Sequence, residues 1–387
     1  MTRALAGPVL LALVLRLVPV LAADRVVADV ARYRRVATHL LDESWNPYET
    51  RRLYPYPPPW AAVEAASEWL ARRGIGSFPV NVKLPSVAAD ALIVAALGVA
   101  ARRGRASPAA AWIYAAHPVS LLVTAFHGQF DAIMLLFVLL ALDAVARGRR
   151  DASALLLSAA IATKSFPALL LPFLARGGGA RSALRFTALA LGPVAALLLP
   201  FALADPGALR RELLAYSGIA DFGWTGLLRG LEWLATGELP RSEARFWPLA
   251  STISKALFLA AWGVLVLAVL RRRLALDRER ACLAALLAFQ VFYGALSAQY
   301  LLWVVPLGAL RPSRGFLLHS AAATAGLVGF YLFLAPGVLW PAPLDGVAAA
   351  RAGRLWVVGT AATLVTAAAW LVAVLREGPA GTRTPPA

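Results

Sequence analysis

Between Asp29 and Trp60 a carboxylate, several aromatic rings, a proline run and paired arginines share one polar stretch. It reads Asp29-Val-Ala-Arg-Tyr33, then Asn46-Pro-Tyr48, then Tyr54-Pro-Tyr-Pro-Pro-Pro-Trp60, with Arg34/Arg35 and Arg51/Arg52 alongside. Aromatic faces and a carboxylate suit a sugar, and arginines suit a phosphate. Further on, Lys83, His127, Asp131, Lys164, Lys255 and Gln299 add ionisable or amide groups. The plainer alternative is a solvated interfacial loop whose Asp29 caps a short helix over 30–41.

The setting of these residues is a membrane. The 387 residues are 60% hydrophobic and 15% charged, with a mean hydropathy of +0.68, the balance of a polytopic membrane protein. The net charge of +17 reports orientation first, and no basic stripe carries a nucleic-acid motif, so nucleic-acid partners are set aside. Cys282, the single cysteine, excludes an intrachain disulfide and a multi-cysteine metal site. Only three of the 38 basic residues are lysines, which singles out Lys83, Lys164 and Lys255.

Apolar runs over 5–23, 87–101, 108–126 and 130–146 read as spans, and the arginines at 102–105 and 147–150 place those ends in the cytoplasm. Stretch 24–86 is then an outer loop. It holds an expected interfacial helix over 59–73, with Trp60, Val63 and Leu70 facing lipid and Glu68 pairing with Arg72. The run 152–175 is broken at Lys164-Ser-Phe-Pro167 and reads as two short helices; 281–310 repeats the pattern around Ser297-Ala-Gln-Tyr300. Spans at 186–203, 248–270, 316–335 and 355–375 complete an all-α protein of about twelve crossings, both termini cytoplasmic. The expectation is one transmembrane domain over 1–376, outer loops at 24–86 and 204–247 with amphipathic interfacial helices, and a disordered cytoplasmic tail at 377–387. On this topology Asp29, Lys83, His127, Asp131, Lys164, Lys255 and Gln299 converge at the outer face. Ionisable groups at membrane depth are costly without a cavity or partner. Lys83 and Lys255 could equally snorkel to headgroups, while Asp90 lies deeper, where Arg16 or another cation can neutralise it.

The Asp29–Tyr33, Asn46–Tyr48 and Tyr54–Pro58 segments resemble the first outer loop of GT-C glycosyltransferases, membrane enzymes that use polyprenyl-phosphate sugars, and the spacing is similar to the mannosyltransferase of GPI-anchor assembly. Lys83-Leu-Pro-Ser-Val-Ala-Ala-Asp90 resembles the opening of the second span in bacterial members. His127-Gly-Gln-Phe-Asp131 is similar to the His-Phe-Gln motif of the glucosyltransferases that extend lipid-linked oligosaccharides, and Lys164-Ser-Phe-Pro167 resembles their lysine-then-proline break. Ser297-Ala-Gln-Tyr-Leu-Leu-Trp303 with Pro306 looks like a segment of the GPI enzyme. Two departures stand out: only Asp29 matches the GPI enzyme's two flanking acids, and His127 lacks the neighbours of the glucosyltransferase pattern.

The resemblance implies an inverting transfer of a hexose, mannose first, from a polyprenyl-phosphate sugar to a lipid-linked or cell-envelope acceptor. Such a transfer needs a carboxylate to take the acceptor proton, a role that falls to Asp29 and, second, to Asp131. The departing phosphate needs fixed cations or donors, for which Lys164, Lys83, Arg51, Arg52 and His127 are candidates. Tyr33, Tyr54, Tyr56, Trp60, Gln299 and Tyr300 are the candidates for contacting sugar or acceptor. The scheme requires no metal, and a divalent cation is left open. A nucleotide sugar would need a sizeable cytoplasmic pocket, which the short inner loops do not offer, whereas a lipid donor reaches an outward site through the bilayer. The alternative class is a transporter or flippase, because two interrupted segments in corresponding halves also mark transport sites. A third class is a non-catalytic assembly protein.

Overall fold

The computed structural model describes residues 3–23, 25–51, 53–214, 218–240, 247–339 and 342–377, so the expectations for Arg52 and for the tail from 378 onward lie outside the described residues. Helices α1 (Arg3–Ala22), α2 (Ala28–Asp42), α3 (Pro59–Arg72) and α4 (Phe78–Arg102) come first, followed by two short turns, α5 (Ala110–Ala115) and α6 (Pro118–Ser120). A π-helical turn over Leu121–His127 leads into α7 (Asp131–Ala146) and α8 (Arg150–Thr163). After α9 (Leu171–Ala175) come α10 (Gly179–Ala204), α11 (Pro206–Leu209), α12 (Gly223–Thr236), α13 (Trp247–Leu270) and α14 (Arg278–Phe292). The last are α15 (Val305–Leu310), α16 (Arg314–Phe333) and α17 (Gly346–Arg376). No strand occurs among the described residues, and the chain divides into two compact units: Met1–Leu171 with Gly177–Tyr216, and Pro172–Arg176 with Ser217–Ala387.

Among the described residues six helices are long and apolar enough to cross a membrane: the windows Leu5–Ala22, Phe78–Arg102, Gly179–Ala204, Leu249–Leu270, Arg314–Phe333 and Gly346–Arg376. The other segments expected to cross are shorter. At about 1.5 Å per residue, a helix of 16 residues such as α7 extends about 24 Å, less than the hydrocarbon thickness of about 30 Å.

The expected breaks are present, and proline marks the first of them. α8 stops at Thr163, Lys164 is extended, and Pro167 opens a 3-10 turn at Phe166–Leu170. α14 ends at Phe292, and the polar Ser297–Tyr300 stretch enters a second 3-10 turn, Ala298–Leu302. Two boundaries differ from the sequence expectation. The second span begins at Phe78, not 87, because Ser77 caps it by accepting from the Val80 N–H and Pro79 is tolerated in the first turn. The run 108–126 is not one span, since Pro118 interrupts it and Gly128, at φ 86°, ends the π-turn.

One end of the first unit has an aromatic core. Val30, Tyr33, Val36 and Ala37 line the inner face of α2 at three- and four-residue spacing and pack with Tyr48, Tyr54, Trp60, Phe78 and Phe130. Full burial of each such side chain is worth about 1.5–3 kcal/mol. Trp60 is therefore 2% exposed and does not face lipid as expected. One of its ring faces stacks on Phe130, centroids 4.0 Å apart, and Tyr33 meets it edge-on. Glu68 does pair with Arg72 one turn on, at 3.1 Å.

Candidate active site

α2 starts where Val27 leaves extended backbone, so Asp29 sits inside the first turn and is not the cap. Its carboxylate points at the stretch 127–131. His127 Nε2 lies 3.1 Å from Oδ2, and Gln129 Nε2 donates to that same oxygen. Oδ1 faces Arg32, whose guanidinium is 3.6 Å away. Burial pushes the Asp29 carboxyl up, but the hydrogen bond and charge of His127, with Arg32 and Lys164 beyond, outweigh it and hold the pKa below the ordinary aspartate value. The group is an ionised acceptor at neutral pH, and its side chain remains 21% exposed.

The backbone that delivers His127 and Gln129 is unusual. The π-turn ends at His127, Gly128 takes the left-handed conformation, and the Gln129 N–H donates back to the Val123 carbonyl. A π-turn followed by a glycine re-aims alternate side chains within a few residues. Gln129 is fully buried. Its Oε1 accepts from the Tyr33 hydroxyl at 3.2 Å and, at 3.5 Å, from Lys164 Nζ. Burial, together with Tyr56 and neighbouring acids, raises the Tyr33 phenol well above its ordinary value, so it is a neutral O–H donor.

Lys164 sits at the helix break, 5% exposed, with Nζ 2.7 Å from Asp131 Oδ2. The ammonium lies over two rings, 4.4 Å from the Phe130 centroid and 5.2 Å from that of Tyr56. A lysine is thus held charged away from water by one carboxylate and two aromatic faces. Asp131 is completely buried, so it is not a free second base.

Asp29, Tyr33, His127, Asp131 and Lys164 are therefore one constellation, with Tyr56 on its edge. Lys83 is near it but does not snorkel to headgroups. It is 2% exposed within α4 and donates to the Phe126 carbonyl at 3.1 Å. Tyr54 is buried, with its hydroxyl donating to the Pro57 carbonyl and accepting from the Ala61 N–H. Arg51 is elsewhere: its backbone is left-handed, at φ 51°, and it lines a groove of about 600 Å³ with Arg34 and Arg35. Gln299 and Tyr300 belong to the second unit, where Gln299 is buried and the Tyr300 carbonyl accepts from Gln290. Lys255 is half-buried on α13.

Sequence reasoning passed over Gln129, Phe130 and Arg32. The signal for the first two was available, because both lie inside the His127–Asp131 motif. Arg32 is one turn from Asp29. Among the described residues no group of three or more His, Cys, Asp or Glu side chains is placed to hold a metal ion.

Residues 27–177 match the family model described as Alpha-(1->6)-mannopyranosyltransferase, N-terminal domain, which is a GT-C type mannosyltransferase family and hence one of hexosyltransferases. The matched segment contains every member of the constellation. No curated protein matches the chain. Nothing in the fold or the match supports a transporter.

Proposed function

We propose, from the premise that residues 27–177 belong to a GT-C type family of α-(1→6)-mannopyranosyltransferases, that this chain moves a mannosyl group from a polyprenyl-phosphate donor to a hydroxyl of a lipid-linked or cell-envelope acceptor. The acceptor oxygen attacks the anomeric carbon on the side opposite the phosphate. A C–O bond to the acceptor forms while the bond from carbon to phosphate oxygen breaks. That bond pair leaves on the phosphate, and the acceptor proton passes to Asp29.

The observation that carries this reading is the state of Asp29. Oδ2 takes two donors from His127 and Gln129, while Oδ1 faces the Arg32 guanidinium 3.6 Å away. Oδ1 is then the oxygen that accepts the proton. The charge growing on the phosphate is met by cations already in place, foremost Lys164, with His127, Lys83 and Arg32 around it. Asp131 keeps Lys164 charged and oriented.

A lipid donor is favoured by the surroundings of the first unit. An apolar groove of about 570 Å³ runs between α3 and α10, lined by Trp45, Pro58, Ala61, Ala65, Leu197 and Phe201. Its walls suit a hydrocarbon chain and offer nothing to a nucleotide. The arginines at 147–150 and 271–280 favour a cytoplasmic side for those turns, which supports a reading with Asp29 on the outer face.

The test is Asp29→Asn in the full-length protein in nanodiscs, with polyprenyl-phosphate mannose as donor and an alkyl α-mannoside as acceptor. Loss of a positioned base typically lowers turnover about 10²–10⁴-fold. The protein should still fold, with a small drop in melting temperature at neutral pH, and donor binding should stay near wild type, because the amide keeps the size of the side chain. A stable Asp29→Asn protein with near-wild-type turnover removes Asp29 from the mechanism.

A further inference from the structure

We propose that Gln129 is a positioning residue that orients the Asp29 carboxylate and couples it to the Lys164–Asp131 pair, so that the base and the phosphate-side cation act as one unit. The inference rests on the assignment of Asp29 as base. It adds a role for a side chain that touches neither sugar nor phosphate in the reaction described above.

The amide has one chemically permitted orientation. Its two ends face opposite demands: the Asp29 carboxylate on one side, the Tyr33 hydroxyl and Lys164 ammonium on the other. Turned over, it would set its oxygen against a carboxylate oxygen and its NH₂ against an ammonium, two repulsive contacts in a buried place. The nitrogen therefore donates to Asp29 and the oxygen accepts from Tyr33 and Lys164. Tyr33 spends its only proton on this oxygen and has none for Asp29.

Two consequences follow for the base. A donor fixed on Oδ2, beside His127, holds the carboxylate in one rotation and leaves Oδ1 for the acceptor hydroxyl. The same donor favours the ionised over the protonated carboxyl. The coupling runs through Oε1: a change in the charge or place of Lys164 alters the bond that keeps the amide turned toward Asp29. The groups that act on Asp29 are Arg32 and Tyr33 from α2, His127 from the π-turn, Lys164 and Asp131 across the amide, and Glu64 of α3 through Tyr33. Gln129 touches Asp29 and two of them, Tyr33 and Lys164, and carries no charge of its own. The backbone leaves little freedom in its placement. Gly128 precedes it at φ 86°, and a Cβ there would come within 2.8 Å of Lys83 Cε and 3.0 Å of Val30 Cγ2.

The experiment compares Gln129→Met, Gln129→Glu and Asp29→Asn in the full-length protein in nanodiscs, measuring turnover of polyprenyl-phosphate mannose on an alkyl α-mannoside across pH. Gln129→Met removes the donor at similar size. Its kcat should fall about 10- to 100-fold, the worth of one hydrogen bond to a charged group. The donor KM should hardly move, and the acid limb of the kcat profile should shift to higher pH. Gln129→Glu keeps the shape, but two carboxyls one hydrogen bond apart share a proton. Its activity should be present at low pH, where the protonated glutamate donates as the amide did, and should fall as pH rises where wild type does not. Gln129→Met with wild-type kcat and acid limb overturns the proposal, and so does equal loss in both variants at every pH with a lowered melting temperature. If Asp29→Asn itself turns over normally, the base assignment fails first. If Asp29→Asn is inactive while the Gln129 variants behave as wild type, only the role of Gln129 falls.

Discussion

Two buried ionic clusters lie in the first unit, and they are built on opposite principles. Arg16 and Asp90 are both fully buried and 2.7 Å apart. The guanidinium also donates to the carbonyls of Ala12 and Ala115 and to the Ser120 hydroxyl, at 3.1, 2.9 and 2.8 Å. Asp90 in turn accepts from the Tyr114 and Ser120 hydroxyls. Every direction is used, and nothing is presented outward. The Asp131–Lys164–Gln129–Asp29 series begins just as buried but ends on a carboxylate that is partly exposed and has one oxygen to spare. Saturation locks helices together, whereas an open end does chemistry.

The comparison breaks most visibly at Arg16. Arg16→Met strands a buried carboxylate, and removal of one partner of a buried pair costs about 3–5 kcal/mol. The melting temperature in detergent should drop sharply, and Arg16→Met with Asp90→Leu should recover most of it, with turnover returning alongside stability. If the single substitution leaves the melting temperature unchanged, the cluster is not a lock.

The same pair of measurements at Lys164 should divide stability from activity. Lys164→Met removes the ammonium from the completely buried Asp131 and should cost stability on the same scale. Adding Asp131→Asn should restore the melting temperature but not donor binding or turnover. Lys164→Arg should rescue poorly, because a planar fork does not fit the place of a compact ammonium over two rings. Full recovery of turnover in the double variant would make this cluster structural too.

The smallest effect is on pH dependence. The Asp29 carboxyl has a folded-state pKa below its ordinary value, so its stabilising contribution is complete above the ordinary carboxylate range and is lost as pH falls through the folded value. The difference in melting temperature between wild type and Asp29→Asn should therefore hold from pH 7 to about pH 5 and narrow on going from about pH 5 to below about pH 4. A constant difference over that range would mean that Asp29 gains nothing from His127 and Arg32.

Much of this was legible from local pattern. The outer helices, the breaks at Lys164 and Ser297 and the Glu68–Arg72 pair follow from proline, capping and one-turn spacing, which act over a few residues. The partnership of Arg16 with Asp90 was legible for a different reason: a charge at membrane depth requires a counter-charge. The aromatic stretch was misread because hydrophobicity at an interface does not say which side is packed. Trp60 suits a headgroup layer as well as it suits Phe130, and only packing tells them apart.

The sequence by itself determined that this chain is a helical membrane protein, that its apolar runs break near Lys164 and Ser297, and that Asp29, His127, Asp131 and Lys164 are the candidates for its chemistry. Composition and proline act locally or in bulk, and rare polar residues in an apolar chain identify themselves. Only the tertiary structure decided what each of them does. It turned Asp29 away from the helix end, spent Asp131 on Lys164 from 33 residues away, and placed Gln129 between them. Those outcomes depend on the direction of single atoms, which the π-turn and Gly128 set to within a hydrogen-bond length. No periodicity in the chain carries information that fine.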